Sequence, residues 1–273
     1  MKQSELDQLC INTIRFLAVD TVQNANSGHP GMPLDAAPMA YVLATRFVRR
    51  NPADPGFIDR DRFVLSSGHA SALLYSIMHL TGYEAMTLDQ LKRFRQWHSL
   101  TPGHPEYHLT PGVEASTGAL GHGLSYGVGM ALAARIEKRD TRVIVVMGDG
   151  EINEGSVWEA ALCAGKHKLN NLTAVIDYNK IQSAGPTREI QDLEPLLDKW
   201  RAFNFAAVDV DGHDVEALRK VFDRLPLATD RPSAIICHTV KGKGIAFAEN
   251  DANWHHKSKI ANDVVTQLYA ALE

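Results

Sequence analysis

Five consecutive apolar residues, Val143-Ile144-Val145-Val146-Met147, constrain this chain more than any other feature. A strand with one wet face alternates polar and apolar side chains. An unbroken apolar run rich in β-branched residues suits a strand buried on both faces, as in the middle of a parallel sheet. Further strand-like runs lie at residues 62–65, 172–176, 205–210 and 234–237. Helical patterns separate them, notably over residues 120–138 and 156–168. Residues 4–23 read as another helix, with Ser4 and Asp7 as candidate N-terminal caps. Strands alternating with helices predict an α/β fold: a parallel β-sheet with helices on both faces. Pro and Gly cluster at residues 28–33, 51–56 and 101–112. With no internal repeat, low-complexity tract or long linker, these read as loops inside a single domain spanning residues 1–273.

Composition narrows the function classes. The 28 basic and 32 acidic residues leave a formal net charge of −4, with no electrostatic footprint for nucleic acid or an anionic membrane. Met1 to Asp7 shows no apolar signal core behind a basic patch. No stretch approaches the roughly 18 uninterrupted apolar residues of a membrane span. A cytoplasmic setting is therefore expected. Cys10, Cys163 and Cys237 are scattered without metal spacing and read as free buried thiols. The twelve histidines are less ordinary, because His29, His69, His104, His122 and His213 all sit beside glycine in loops. That pattern suits the handling of something small and polar.

In an open parallel sheet, ligands bind where loops leave the carboxyl ends of the strands. The run 143–147 passes straight into Gly148-Asp149-Gly150-Glu151, so Asp149 projects from a strand end between glycines. The run 172–176 leads into Asp177-Tyr178-Asn179-Lys180-Ile181. Asp149 and Asn179 then share one sheet edge. A carboxylate and an amide oxygen, with a backbone carbonyl and phosphate oxygens, suit Mg²⁺ or Ca²⁺. The helix N-terminus after Gly150 suits a diphosphate. Gly-Asp-Gly alone is usually only a turn. Followed by an Asn at the end of the next strand, it resembles the diphosphate motif of thiamine-diphosphate enzymes. Gly118-Ala119-Leu120-Gly121-His122-Gly123, by contrast, lacks the dinucleotide spacing and a preceding apolar strand.

Ser27-Gly28-His29-Pro30-Gly31, the segment Asp61 to Ala70 with Ser66-Ser67-Gly68-His69, and Thr101-Pro102-Gly103-His104-Pro105-Glu106 stand in an order and spacing similar to the transketolase family. Gly148-Asp149-Gly150 with Asn179, then Asp211-Gly212-His213-Asp214, extend the resemblance over essentially the whole chain. It implies a thiamine-diphosphate-binding fold. Asp149, Asn179 and the carbonyl of Ile181 are expected to hold Mg²⁺ or Ca²⁺. Gly150 and His69 are expected on the diphosphate, with Gly118, Gly148 and Leu120 against the cofactor. His29, His104 and His255 would face the donor ketose: His29 and His255 would move the proton of the scissile hydroxyl, and His104 would hydrogen-bond the donor hydroxyls. Glu154 matches a family glutamate near the subunit interface that helps link the two cofactor sites.

The chain departs from the family's Gly-Pro-Leu-Gly-Gln-Gly at residues 118–123. Many relatives have Gly where His256 stands. His238-Thr239-Val240-Lys241-Gly242-Lys243-Gly244, with Trp254-His255-His256, resembles the split transketolases and the deoxyxylulose-phosphate synthases. Family members run to more than twice this length. The resemblance therefore implies that a separate C-terminal subunit supplies the aminopyrimidine-binding domain, its activating glutamate and most sugar-phosphate arginines, in a heterotetramer of two chains each. A shortened form of a longer protein is the alternative. The expected function is ketol transfer from a ketose phosphate to an aldose phosphate. A deoxyxylulose-5-phosphate synthase-like activity, an unusual-sugar transketolase, and a non-catalytic cofactor-binding regulatory subunit are the competing readings.

Overall fold

The strand-like runs pair as the pattern requires. The structure, a computed structural model, describes residues 1–272. In chain order it comprises α1 (Gln3–Ala25), α2 (Gly31–Asp35), α3 (Ala37–Val42), a π-helical turn (Leu43–Phe47), β1 (Arg62–Leu65), α4 (Ser71–Leu80), α5 (Leu88–Lys92), α6 (Gly123–Ile136), β2 (Val143–Gly148), α7 (Gly155–Lys166) and β3 (Leu172–Tyr178). A small ribbon of β4 (Ile181–Gln182) and β5 (Gly185–Pro186) follows. Then come α8 (Thr187–Ile190), α9 (Leu196–Ala202), β6 (Ala206–Asp211), α10 (Val215–Phe222), β7 (Ser233–His238) and α11 (Asn262–Leu272). The main sheet has the order β1-β2-β3-β7-β6, and every neighbouring pair is parallel.

The period of two along β2 explains why the sheet is covered on both sides. Ile144 and Val146 join the core beneath α1, α3, α4 and α10, with Leu65, Val175, Ile235 and Cys237. Val143, Val145 and Met147 join the core beneath α6, α7 and α9, with Ala174, Ile176 and Ile236. Each such side chain contributes roughly 1.5–3 kcal/mol when fully buried, so the central strands anchor whatever their ends carry. A third cluster, including Val19, Leu34, Trp254 and Leu268, docks the C-terminal segment onto α1 and α2.

Several boundaries differ from the sequence reading for identifiable reasons. Helix α6 begins at Gly123 rather than near 120, because Gly118 and Gly121 hold positive φ (132° and 83°) that a helix cannot use. Helix α7 stops at Lys166, and Lys168 turns left-handed (φ 51°). Neither Ser4 nor Asp7 caps α1. The Glu5 carboxylate accepts from the Lys2 backbone N–H (2.8 Å), while Asp7 is buried against Arg219 (2.7 Å) and Tyr41 (2.7 Å). Residues 31–33, read as part of a loop, open the short helix α2. No helix among the described residues is long and apolar enough to cross a membrane.

Candidate active site

The register of the central strands sets out the floor of the site. Gly148 of β2 lies beside Asp177 of β3, which lies beside Cys237 of β7. The ladder runs one step further, with Asp149 N–H donating to the Asp177 carbonyl (3.1 Å). The loops leaving β1, β2, β3 and β7 therefore open at one sheet edge. They enclose a cavity of about 210 Å³ lined by His29, His69, Gly118, Leu120, Gly148, Asp149, Gly150, Glu151, Asp177, Asn179, Ile181, Lys241 and His255, among others.

Asp149 is held by two backbone donors: Gly150 N–H to Oδ1 (2.7 Å) and Lys180 N–H to Oδ2 (2.5 Å). The second needs Lys180 in the left-handed region (φ 68°), a local strain of the kind that gathers at functional sites. Asn179 donates through Nδ2 to Asp35 (3.1 Å) and Asp177 (3.0 Å), and its Oδ1 accepts from Ile181 N–H (2.9 Å). The amide oxygen therefore points towards Ile181. Lys241, almost wholly buried, donates to the Ile181 carbonyl (3.2 Å).

Three buried carboxylates, Asp35, Asp149 and Asp177, thus face one ammonium. Burial, then the neighbouring Asp177, pushes Asp149 up to about 7. Asp35 is raised well above the usual carboxylate range by the same two causes, and Asp177 is raised by burial. Fully ionised, the three carboxylates would outweigh Lys241 by two charges; the upward shifts reflect that excess, and a divalent cation bound beside them would favour the ionised forms. Hard oxygens of Asp149, Asn179 and Ile181 on one wall also suit such an ion. No group of three or more His, Cys, Asp or Glu side chains placed to hold a metal occurs among the described residues, so phosphate oxygens would have to complete the coordination.

Above this floor stands a group of imidazoles. The His29 ring lies 5.1 Å from His69, 5.5 Å from His255, 4.7 Å from His256 and 6.4 Å from His104. A backbone bridge explains how the C-terminal pair arrives: Gly28 N–H donates to Lys257 O (3.0 Å), and Lys257 N–H returns to Gly28 O (2.9 Å). His104 packs on Gly118, where a Cβ would sit 2.7 Å from the ring, so that position requires glycine. Burial, then the neighbouring imidazoles, holds His29 down to about 3; burial, then Lys241, holds His255 down to about 4. His69 lies well below its usual value through burial and the adjoining His255 and His29; His104 is lowered by burial and Arg95. All four are neutral near pH 7.

The chain matches a family model described as "Transketolase, thiamine diphosphate binding domain" over residues 6–272. It is 44% identical over 262 residues to a transketolase of a Nostoc species, covering 92% of this chain and 39% of that protein. It is 46% identical over 250 residues to one of Halalkalibacterium halodurans, covering 88% and 37%. Among solved structures, the transketolase of Campylobacter jejuni superposes with a TM-score of 0.93 at 38% identity, covering 100% of this chain and 43% of that one. A Pichia stipitis transketolase in complex with sedoheptulose 7-phosphate gives 0.92 at 41% identity, covering 98% and 40%. The chain belongs to the transketolase family.

It spans about 40% of the length of these relatives, the part the family model calls its thiamine diphosphate binding domain. Of the residues singled out for that role, His29, His69, Gly118, Leu120, Gly148, Asp149, Gly150, Asn179, Ile181 and His255 all line the one cavity. His104 stands behind Gly118. Glu154, expected near a subunit interface, lies exposed at the start of α7 and outside the cavity lining. Only a single 3-10 turn, Glu151–Asn153, follows Gly150, so the expected helix N-terminus is displaced to Gly155. His213 does not face the cavity; its Nε2 accepts from Val240 N–H (2.8 Å) and steadies the loop that carries Lys241. Sequence reasoning missed Lys241, Asp35, Glu151 and Arg95, whose guanidinium lies 3.5 Å from His29 Nδ1. Lys241 sits in the segment 238–244 already singled out, and a lysine shortly after the apolar run 234–237, just ahead of Gly242, was the available signal.

Proposed function

We propose that this chain forms the diphosphate-binding part of a transketolase site that transfers a two-carbon ketol unit from a ketose phosphate to an aldose phosphate. The observation that carries the reading is the stacking of a neutral imidazole group directly over an acid-rich, oxygen-lined cavity at one sheet edge. Asp149, Asn179 and the Ile181 carbonyl would hold Mg²⁺ or Ca²⁺, and His69 and the Gly150 backbone would meet the diphosphate. Thiamine diphosphate, when bound, supplies an electron sink for the carbanion left when a carbon–carbon bond beside a carbonyl breaks. Side chains cannot do that, but they can serve the proton and the oxyanion.

His29 and His255 are assigned to the hydroxyl proton, and His104 to hydrogen bonding of the donor hydroxyls. A neutral imidazole accepts at one nitrogen and donates at the other. Values near 3 and 4 are low for a base at pH 7. Filling the cavity with a polyanion adds negative charge beneath the rings and moves them back towards working pH. His29→Ala is expected to lower kcat by about 10²–10⁴-fold, the usual range for losing a positioned proton-transfer group. An unchanged kcat removes that role.

The rest of the site belongs to the sequence that the relatives have and this chain does not span. We propose that a separate C-terminal chain supplies it, in a two-plus-two assembly acting on sugar phosphates in the cytoplasm. The test is a xylulose 5-phosphate plus ribose 5-phosphate assay with thiamine diphosphate and Mg²⁺, on this chain alone and with its candidate partner. Turnover only in the mixture supports a shared site. Turnover by this chain alone overturns it. Silence in both, with cofactor-dependent stabilisation, redirects the reading to an unusual sugar or a regulatory role.

A further inference from the structure

Glu151 is almost completely buried, yet among the described residues no lysine, arginine or histidine pairs with it. Its charge is met by hydrogen-bond donors from two other loops. Oε1 accepts from the Ser66 hydroxyl and from Gly121 N–H (2.9 Å). Oε2 accepts from the Ser67 hydroxyl (2.7 Å), whose oxygen in turn accepts from Gly148 N–H (2.7 Å). Ser66 and Ser67 lie two or three residues before His69, Gly121 follows Leu120, and Gly148 precedes Asp149. Three walls of the cavity therefore meet at one carboxylate. They are also in direct contact there: a Cβ on Gly123 would fall 2.2 Å from Ser66 Oγ.

A buried carboxylate costs several kcal/mol unless donors satisfy it, and a fully satisfied network holds its members to one geometry. Such a group is a poor choice for stability alone, since an apolar side chain would fill the same space at less cost. We propose that Glu151 is a positioning residue: it fastens the loops carrying His69, Leu120 and the Gly148–Gly150 turn into one rigid cradle, and so sets the affinity for a diphosphate. This rests on the reading of the cavity as a diphosphate site. Both carboxylate oxygens of Glu151 are engaged by these donors, so it acts through the residues it holds. Its contribution is pre-organisation, which lowers the ordering cost at the moment of binding.

The test measures affinity and stability separately. Titration calorimetry with magnesium pyrophosphate, and again with thiamine diphosphate and MgCl₂, gives Kd for the wild type, Glu151→Gln and Ser67→Ala. Glu151→Gln keeps the volume but leaves one donor unmatched, and a rise in Kd of about 10-fold is expected, in the range seen when a residue that orients ligand-binding groups is lost. Ser67→Ala breaks the relay to Gly148 and should act in the same direction even if the Glu151 variant folds poorly. Asp61→Asn is the control: Asp61 is a buried carboxylate far from the cavity, bonded to Arg142 (2.6 Å), so its loss should lower Tm while leaving Kd unchanged. Kd values for Glu151→Gln and Ser67→Ala within twofold of wild type would overturn the positioning role. If the wild type, both alone and mixed with its candidate C-terminal partner, binds neither ligand, the reading of the cavity fails and this role with it.

Discussion

Asp35 has one carboxylate oxygen, Oδ1, buried without a hydrogen-bond partner, while Oδ2 accepts from Asn179. It faces Asp177 and Asp149, so its charge is opposed by burial and by two like charges. Asp35→Asn keeps an acceptor for Asn179 and can carry no charge beside Asp177 and Asp149 at any pH. The chain without ligand should therefore become more stable, by about 1 kcal/mol, or roughly 2–4 °C in Tm at this size. Lys241→Met makes the opposite change, taking the one ammonium from among three buried carboxylates. Breaking a buried ion set on one side costs about 3–5 kcal/mol. Protonation relieves that loss. These carboxylates have folded values above their unfolded ones, Asp149 near 7. The deficit should be largest above pH 7 and shrink towards pH 6. Urea unfolding of both variants at pH 6 and 8 reads the two signs, and a Lys241→Met deficit that is independent of pH would refute the charge argument.

Helix α6 separates two kinds of glycine within three residues. Gly127 faces the sheet: a Cβ there would lie 2.5 Å from Val145 Cγ2 and 3.2 Å from Leu172 Cδ1. Gly129 is exposed, with nothing within 4 Å. Alanine gains about 1 kcal/mol over glycine inside a helix. At Gly129 that gain stands alone, so Gly129→Ala should stabilise by up to that amount. At Gly127 it meets overpacking against a stiff β-branched neighbour, costing about 1–3 kcal/mol, so Gly127→Ala should destabilise or at best be neutral. Thermal melts of the pair test whether this helix packs on β2 as described; stabilisation by both changes would contradict it.

The strands were readable because β2 and β3 are apolar on both faces, and a continuous run has few other uses. Asp149 and Asn179 were readable because each directly follows such a run. The buried charges were not. Asp35 meets Asn179 across 144 positions, and Lys241 meets Ile181 across 60. Those distances close only through sheet order and the docking of α2. His255 reaches His29 through the Gly28 and Lys257 bridge, two loop residues with no pattern of their own. Glu154, expected near a subunit interface, is exposed at the start of α7.

Across the whole molecule, five imidazoles, His29, His69, His104, His213 and His255, are held below their ordinary value chiefly by burial. Between the folded and unfolded values the unfolded chain binds more protons, so each histidine makes stability fall as pH drops below about 6.5. The buried carboxylates Asp35, Asp149, Asp177 and Glu151 act in the opposite sense, because protonation relieves them in the fold first. The two sets overlap in pH and flatten the wild-type curve, which therefore cannot report on either alone. A difference curve can. His213 lies away from the cavity, is held down to about 4, and has its Nδ1 buried without a partner. His213→Gln retains an acceptor for Val240 but cannot titrate. Subtracting the two stabilities cancels the cavity's carboxylates and the other histidines, leaving His213 and its neighbours Asp211 and Glu249. The wild type should lead above pH 6.5 and lose about 1 kcal/mol of that lead by pH 5, allowing for partial solvent screening of the ring. A lead that stays constant over that range would mean that His213 accepts a proton in the fold as readily as in the unfolded chain.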